Sequence, residues 1–207
     1  MRVYIGQTRS RSLIKRLNDF GFGEMTVREE FPPKRTPYAF DNGAYKDWTA
    51  GRSFDGEAFM EKIAQVREAE HRPDFVVVPD IVAGGFLSLS FSEQWIASLV
   101  GIAPLYLAVQ DGMTEAEVVR ACELPYAGIF VGGSLKWKLA TGERWVAFAH
   151  ERRMPCHIGR VGTFHRTRWA KRIGADSIDS ALPLWSEENL QRFLAGLFGT
   201  PHPEMFA

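Results

Sequence analysis

The sequence predicts an α/β protein, a compact (β/α)8 TIM barrel, and three observations carry that expectation. Eight short segments rich in β-branched and aromatic residues recur along the 207 residues, most of them followed by a stretch of helical composition. Strands alternating with helices of this length build βαβ units and a parallel sheet. Two of the segments, FVVV at 75–78 and LYLAV at 105–109, are continuously apolar, as strands covered on both faces must be. Eight such units closing on themselves make a barrel at the short end of its size range, with an open doubly wound sheet as the alternative.

The first strand is Arg2–Gly6, and the basic stretch Arg11–Phe20 follows it as a helix. Met25–Arg28 is the weakest strand, because no clear helix comes after it before Pro32-Pro33. Tyr38–Asp41 is the third strand, Phe54–Glu70 a helix and Phe75–Asp80 the fourth strand. Ser92–Val100, Glu115–Cys122 and Glu143–Arg152 have helical character around the strands Leu105–Gln110 and Ile129–Gly132. Then come strand His157–Arg160, a turn at Val161-Gly162-Thr163, helix Phe164–Ile173 stopped by Gly174, strand Asp176–Asp179 and helix Glu187–Leu197. No Pro/Ser/Gly-rich linker, repeat or low-complexity tract divides the chain. Residues 1–198 are therefore expected to form one barrel domain, and 199–207, with Pro201 and Pro203, an irregular tail.

Composition excludes more than it selects. Formal net charge is zero, so a nucleic-acid partner must show itself in local asymmetry. Cys122 and Cys156 are too few for a disulfide framework or a four-cysteine zinc site, and two reduced thiols suit a cytoplasmic location. His71, His150, His165 and His202 have no ligand spacing, so no metal is expected. MRVYIGQTRS lacks the apolar run of a signal peptide, and no stretch is long enough to span a bilayer.

In a parallel barrel the C-terminal strand ends form the active face. Four ends carry residues an apolar sheet would not choose: Asp41 in FDNGAY, Asp80 in VVVPD, Gln110 in LAVQDG and Asp179 in DSIDS. A fifth, VGGS, offers the backbone N–H groups of Gly132 and Gly133. Three carboxylates, an amide and a backbone donor on one rim suit a polar, planar ring. Each has a plainer reading. Asp41-Asn42-Gly43 and Gln110-Asp111-Gly112 make good turns, Asp80 or Asp111 could cap a following helix, and Gly132-Gly133 could bind phosphate. Asp176 precedes the strand core and is expected to support backbone. His157, inside a strand, is expected to be a satisfied core histidine.

The order of these motifs resembles the tRNA-guanine transglycosylase superfamily, most of all its DNA-guanine transglycosylase branch found in phages and bacterial gene clusters. FDNGAY at 40–45 is similar to the family's DSGGF/Y, LAVQDG at 107–112 to IVQGG, and GIFVGGS at 128–134 to YAIGGL. IGRVGT followed by GADSIDSALP is similar to LMGVGTP followed by GIDMFDCVLPTR. The resemblance is colinear from about Tyr38 to Pro183. It implies a barrel that exchanges guanine in a nucleic acid for a 7-deazaguanine base such as preQ0, with no cofactor. Carried over by position, Asp179 is the nucleophile and Asp41 the acid–base residue. Asp80 reads N1 and N2, Gln110 and the Gly132-Gly133 backbone read O6, and Tyr45 stacks on the base.

The chemistry of those residue types agrees. Guanine donates at N1 and N2, which suits a carboxylate, and accepts at O6, which suits an amide and a backbone N–H. A carboxylate nucleophile splits base exchange into two displacements with retention, while a second carboxylic acid protonates the leaving base.

Departures bear on the polymer. The family's tRNA enzymes carry a zinc subdomain with three cysteines and a histidine, which Cys122 and Cys156 cannot supply. The arginine after the nucleophile is replaced in Pro183-Leu184-Trp185, and the Met that sandwiches the base by Gly159 or Arg160. Local charge favours a nucleic acid: Arg152, Arg153, Arg160, Arg166, Arg168, Lys171 and Arg172 follow Glu151 closely, Arg9 and Arg11 follow the first strand, and Lys136 and Lys138 flank Trp137. These are expected to track phosphates around a flipped-out nucleotide, with Trp137, Phe164 or Trp185 holding the opened stack. The expected partner is DNA, with accessory proteins possible for specificity. tRNA, a non-catalytic base-binding homologue and an unrelated phosphate-binding barrel are the alternatives.

Overall fold

The structure, a computed structural model, describes residues 1–199. The expected tail lies outside the described residues except for Gly199. Eight parallel strands close in chain order into a barrel, so the sheet is not the open, doubly wound alternative. The strands are β1 Arg2–Gly6, β2 Gly23–Val27, β3 Tyr38–Asp41, β4 Val76–Val77, β5 Leu105–Val109, β6 Gly128–Val131, β7 Cys156–Ile158 and β8 Ser177–Ser180. The helices are α1 Arg11–Asp19, α2 Ala44–Thr49, α3 Gly56–Glu68, α4 Phe86–Glu93, α5 Ile96–Leu99, α6 Glu115–Ala121, α7 Leu135–Glu151, α8 Phe164–Arg172 and α9 Glu187–Phe198. Among the described residues no helix is long and apolar enough to cross a membrane.

Strand alternation sorts the core into two layers. Tyr4, Met25, Phe75, Val77, Tyr106 and Phe130 point inward and fill the barrel, with the Phe75 and Tyr106 rings stacked 4.1 Å apart. Ile5, Phe40, Val76, Leu107, Ile129, Ile158 and Ile178 belong to the outer core that includes buried helix residues such as Ile63, Val146 and Phe193. Side-chain caps start most helices, among them Ser10 on α1, Asp55 on α3 and Thr163 on α8.

The weak second unit has a physical basis. Among the described residues no α-helix covers β2. A single 3-10 turn at Arg28–Glu30 and an irregular loop do so instead. The outward residues Glu24 and Thr26 are polar and fully buried. Glu24 accepts from Gln7 Nε2, Thr26 Oγ1 and the Lys34 N–H at 3.0–3.1 Å, which ties the loop down. Buried Arg35 lies 3.8 Å from Glu24, within ion-pair reach but beyond a hydrogen bond, and donates to the Ile5 carbonyl at 2.7 Å. Hydrogen bonds thus replace the apolar packing a helix would provide.

Several boundaries differ from expectation. α2 was not expected, β4 shrinks to two residues, and the helix expected at Ser92–Val100 becomes α4 and α5, starting earlier. α7 begins at Leu135, capped by the Ser134 hydroxyl, rather than at Glu143. Gly142 disguises that helix in the sequence. Its absent side chain admits Trp169 of α8, since a Cβ there would sit 2.8 Å from the indole ring. Packing compensates the weak helix propensity of glycine.

Candidate active site

A cavity of about 860 Å³ opens at the C-terminal ends of the strands, within the range of small-molecule sites. Asp41, Tyr45, Asp80, Gln110, Gly132, Gly133 and Asp179 all line it. A smaller cleft of about 340 Å³ beside Thr36–Tyr38 and Glu70–Arg72 lies at the opposite end of the barrel and holds no carboxylate pair.

Asp179 sits in β8, in register with Tyr4 of β1. Its Oδ1 lies 2.9 Å from His157 Nε2 and accepts from the Arg160 backbone N–H at 3.2 Å. Its Oδ2 has no hydrogen-bond partner among the described residues. Gly159 makes room beside it, because a Cβ there would lie 2.9 Å from the Phe130 ring and 3.4 Å from Oδ1.

Asp41 serves two purposes at once. Its Oδ1 accepts the Gly43 N–H at 2.8 Å, the expected turn bond, yet the carboxyl also lines the cavity. Burial pushes its pKa up to about 7. The Gly43 N–H opposes this, and the charges of Asp179, Asp80 and Glu29 add to it. Asp80 is pushed up to about 6 by burial, against the Asn42 amide that donates to it at 2.9 Å. It does not cap α4, whose N-cap position is Gly85 and which has no side-chain cap.

Gln110 lines the cavity with its amide already engaged. Its Oε1 accepts the Ala83 N–H at 2.7 Å and its Nε2 donates to the Ile81 carbonyl at 2.8 Å. The amide is 3% exposed and holds the loop after β4, so both its ends are already occupied. The Gly133 N–H, by contrast, has no backbone or side-chain partner among the described residues. Asp111 is not a helix cap either. Thr114 and Glu117 form a capping box on α6, while Asp111 binds the Ser134 N–H and hydroxyl, both at 2.6 Å, and joins two rim loops.

Tyr45 is half exposed on α2, with Trp48 beside it. A buried ion network sets this short helix in place: Arg28 donates to Asp47 at 2.8 Å and to the Asp55 carbonyl at 2.9 Å. The Arg160 guanidinium lies 4.3 Å from the Tyr45 ring centre and donates to the Gly133 carbonyl at 2.7 Å, bridging the mouth. Trp48 lines the cavity at 52% exposure and was missed, because α2 itself was missed.

The basic residues do not form one patch. Arg160 and Arg166 line the cavity. Lys138 lines it too, but is buried rather than a surface phosphate contact. Its ammonium donates to the Gly159 carbonyl, and burial, helped by Arg160 and Arg166, pushes its pKa down to about 8. Arg9, Arg11, Lys136 and Arg168 are exposed outside the cavity lining. Arg152 and Arg153, just before β7, and Lys171 and Arg172, just before β8, belong to the opposite end of the barrel. Of the suggested stacking residues, Trp185 is 75% exposed, whereas Trp137 packs against the core.

Asp176 precedes β8 and accepts from the Cys156 N–H at 2.7 Å, with His150 Nε2 at 2.8 Å. Among the described residues no group of three or more His, Cys, Asp or Glu side chains is arranged to hold a metal ion. Neither a protein-family model nor a curated protein matches the chain.

Proposed function

We propose that this chain is a guanine transglycosylase that exchanges guanine in DNA for a 7-deazaguanine base through an aspartyl-glycosyl intermediate. The observation that carries the reading is a pair of unlike carboxylates on one cavity. Asp179 keeps one oxygen bonded and one open, while burial holds Asp41 protonated to about pH 7. Oδ2 of Asp179 attacks C1′, and the C1′–N9 electron pair leaves with guanine, which takes the Asp41 proton. The incoming base returns its N9 proton to Asp41 as N9 displaces Asp179, so configuration is retained overall. Asp80, once ionised, accepts from N1 and N2 of the base, and the unpaired Gly133 N–H donates to O6. Tyr45, Trp48, Arg160 and Arg166 at the mouth suit an unstacked nucleotide and its phosphates.

A second reading, a barrel enzyme for small phosphorylated substrates, draws on the same Gly133 N–H with Arg166 on the cavity wall. The test incubates the protein with labelled guanine or preQ0 and either duplex DNA or tRNA. Label entering DNA supports the proposal. Label entering tRNA alone moves the reading to RNA. Label entering neither, beside an active control enzyme, favours the phosphate reading. A covalent complex should form with the wild type and with Asp176→Asn but not with Asp179→Asn.

A further inference from the structure

We propose that His157 is a positioning residue whose bond to Oδ1 of Asp179 makes Oδ2 the attacking atom, with Ser177 anchoring the far side of the ring. The inference rests on Asp179 being the nucleophile. His157 is fully buried, and its two ring nitrogens meet two partners on the neighbouring strand. Nδ1 lies 2.9 Å from Ser177 Oγ and Nε2 2.9 Å from Asp179 Oδ1. The β7–β8 register pairs His157 with Ser177, and Ser177 and Asp179, two residues apart, project from the same face. One ring therefore spans both side chains.

Donor logic selects the tautomer. An ionised carboxylate only accepts, so Nε2 carries the hydrogen, and Nδ1 accepts from the rotatable Ser177 hydroxyl. The ring itself is clamped. Phe130 stacks on it at 4.8 Å and 12°, Phe75 lies at 5.2 Å and Tyr4 at 6.0 Å. With the Arg160 N–H also on Oδ1, that oxygen has two donors and Oδ2 none among the described residues. When the Oδ2 lone pair bonds C1′ and the C1′–N9 pair leaves with the base, Oδ1 becomes the ester carbonyl without losing its partners. A histidine serving only to fill the core would need neither a fixed tautomer nor a carboxylate partner at the reacting centre.

The test measures base exchange by the full-length protein for His157→Phe, His157→Gln and Ser177→Ala, together with ¹⁵N-histidine spectra of the wild type and Ser177→Ala. Mispositioning a reacting group costs on the order of 10²-fold. His157→Phe should therefore lower kcat by about that factor while leaving KM for DNA and base within roughly twofold. His157→Gln, whose amide N–H reaches the Nε2 position, should recover most of the loss, and Ser177→Ala should fall between. The wild-type spectrum should show the Nε2–H tautomer, and Ser177→Ala should keep it, because the carboxylate still demands that hydrogen. An Nδ1–H tautomer in the wild type, or folded His157→Phe and Ser177→Ala at wild-type kcat, overturns the inference. If His157→Phe does not fold, equal kcat in Ser177→Ala and wild type overturns it instead. Absence of exchange by the wild type overturns the transglycosylase reading, whereas the spectra need no substrate and judge the tautomer separately.

Discussion

Replacing Asp41 by Asn should abolish base exchange and at the same time stabilise the fold, by an amount that depends on pH. Burial raises the Asp41 pKa from 3.8 to about 7, so the native state binds this proton more tightly than the unfolded chain does. Stability must then fall as pH rises from about 4 to about 7, where the unfolded chain has released the proton and the native state has not. Asn has nearly the same shape, can still accept the Gly43 N–H, and carries no charge. A shift of this size corresponds to about 4 kcal/mol of differential interaction, and solvent at the open mouth reduces what is recovered to about 1–3 kcal/mol. For a chain of this length that is a rise in Tm of roughly 2–12 °C. Thermal unfolding of both proteins at pH 4 and pH 8 reads it directly. The curves should nearly coincide at pH 4 and separate at pH 8, with Asp41→Asn the more stable. Exchange activity should be lost throughout, by about 10²-fold or more, because Asn cannot deliver a proton. Equal stability at both pH values, or a less stable variant at pH 8, would refute the claim that the fold holds a costly carboxyl here.

Three further outcomes follow from the same geometry. The pH profile of kcat/KM should be a narrow bell, rising as Asp80 ionises near pH 6 and falling as Asp41 loses its proton near pH 7. In Asp80→Asn the acid limb should flatten. Gln110→Ala should cost about 1–3 kcal/mol in denaturant unfolding by stripping the loop after β4 of two buried hydrogen bonds. Amide exchange should quicken at Ile81–Gly85, and unchanged exchange there would mean that Gln110 serves the base alone. Arg160→Ala should weaken DNA binding and lower the salt slope by about one, whereas Arg152→Ala, at the other end of the barrel, should leave both unchanged. Equal effects would restore a single continuous basic surface.

Much of this molecule was legible because its signals are local. Apolar runs such as Phe75–Val78 and Leu105–Val109 mark buried parallel strands wherever they occur, and the polar residue ending each run faces the rim. That is why Asp41, Asp80, Gln110, Gly133 and Asp179 could be gathered from the chain before their meeting place was known. Illegible elements depend on partners far away in sequence. α2 is six residues long and owes its position to Arg28 and Asp47. α7 contains a glycine that only Trp169 explains, and the cover of β2 is a loop held by buried Glu24.

The sequence by itself determined the alternation of strands and helices and the short list of polar strand ends, because each depends on periodicity and composition within a few residues, whereas closure into a barrel was decided by the pairing of β1 with β8. Only the tertiary structure decided what those side chains are bonded to. It gave Gln110 to a loop, buried Lys138 against the Gly159 carbonyl, sent the basic run to opposite ends of the barrel, and put His157 against Asp179. Inward parity can be read along one strand. Which inward residue meets which depends on the stagger between neighbouring strands, and closure of the whole barrel sets that stagger.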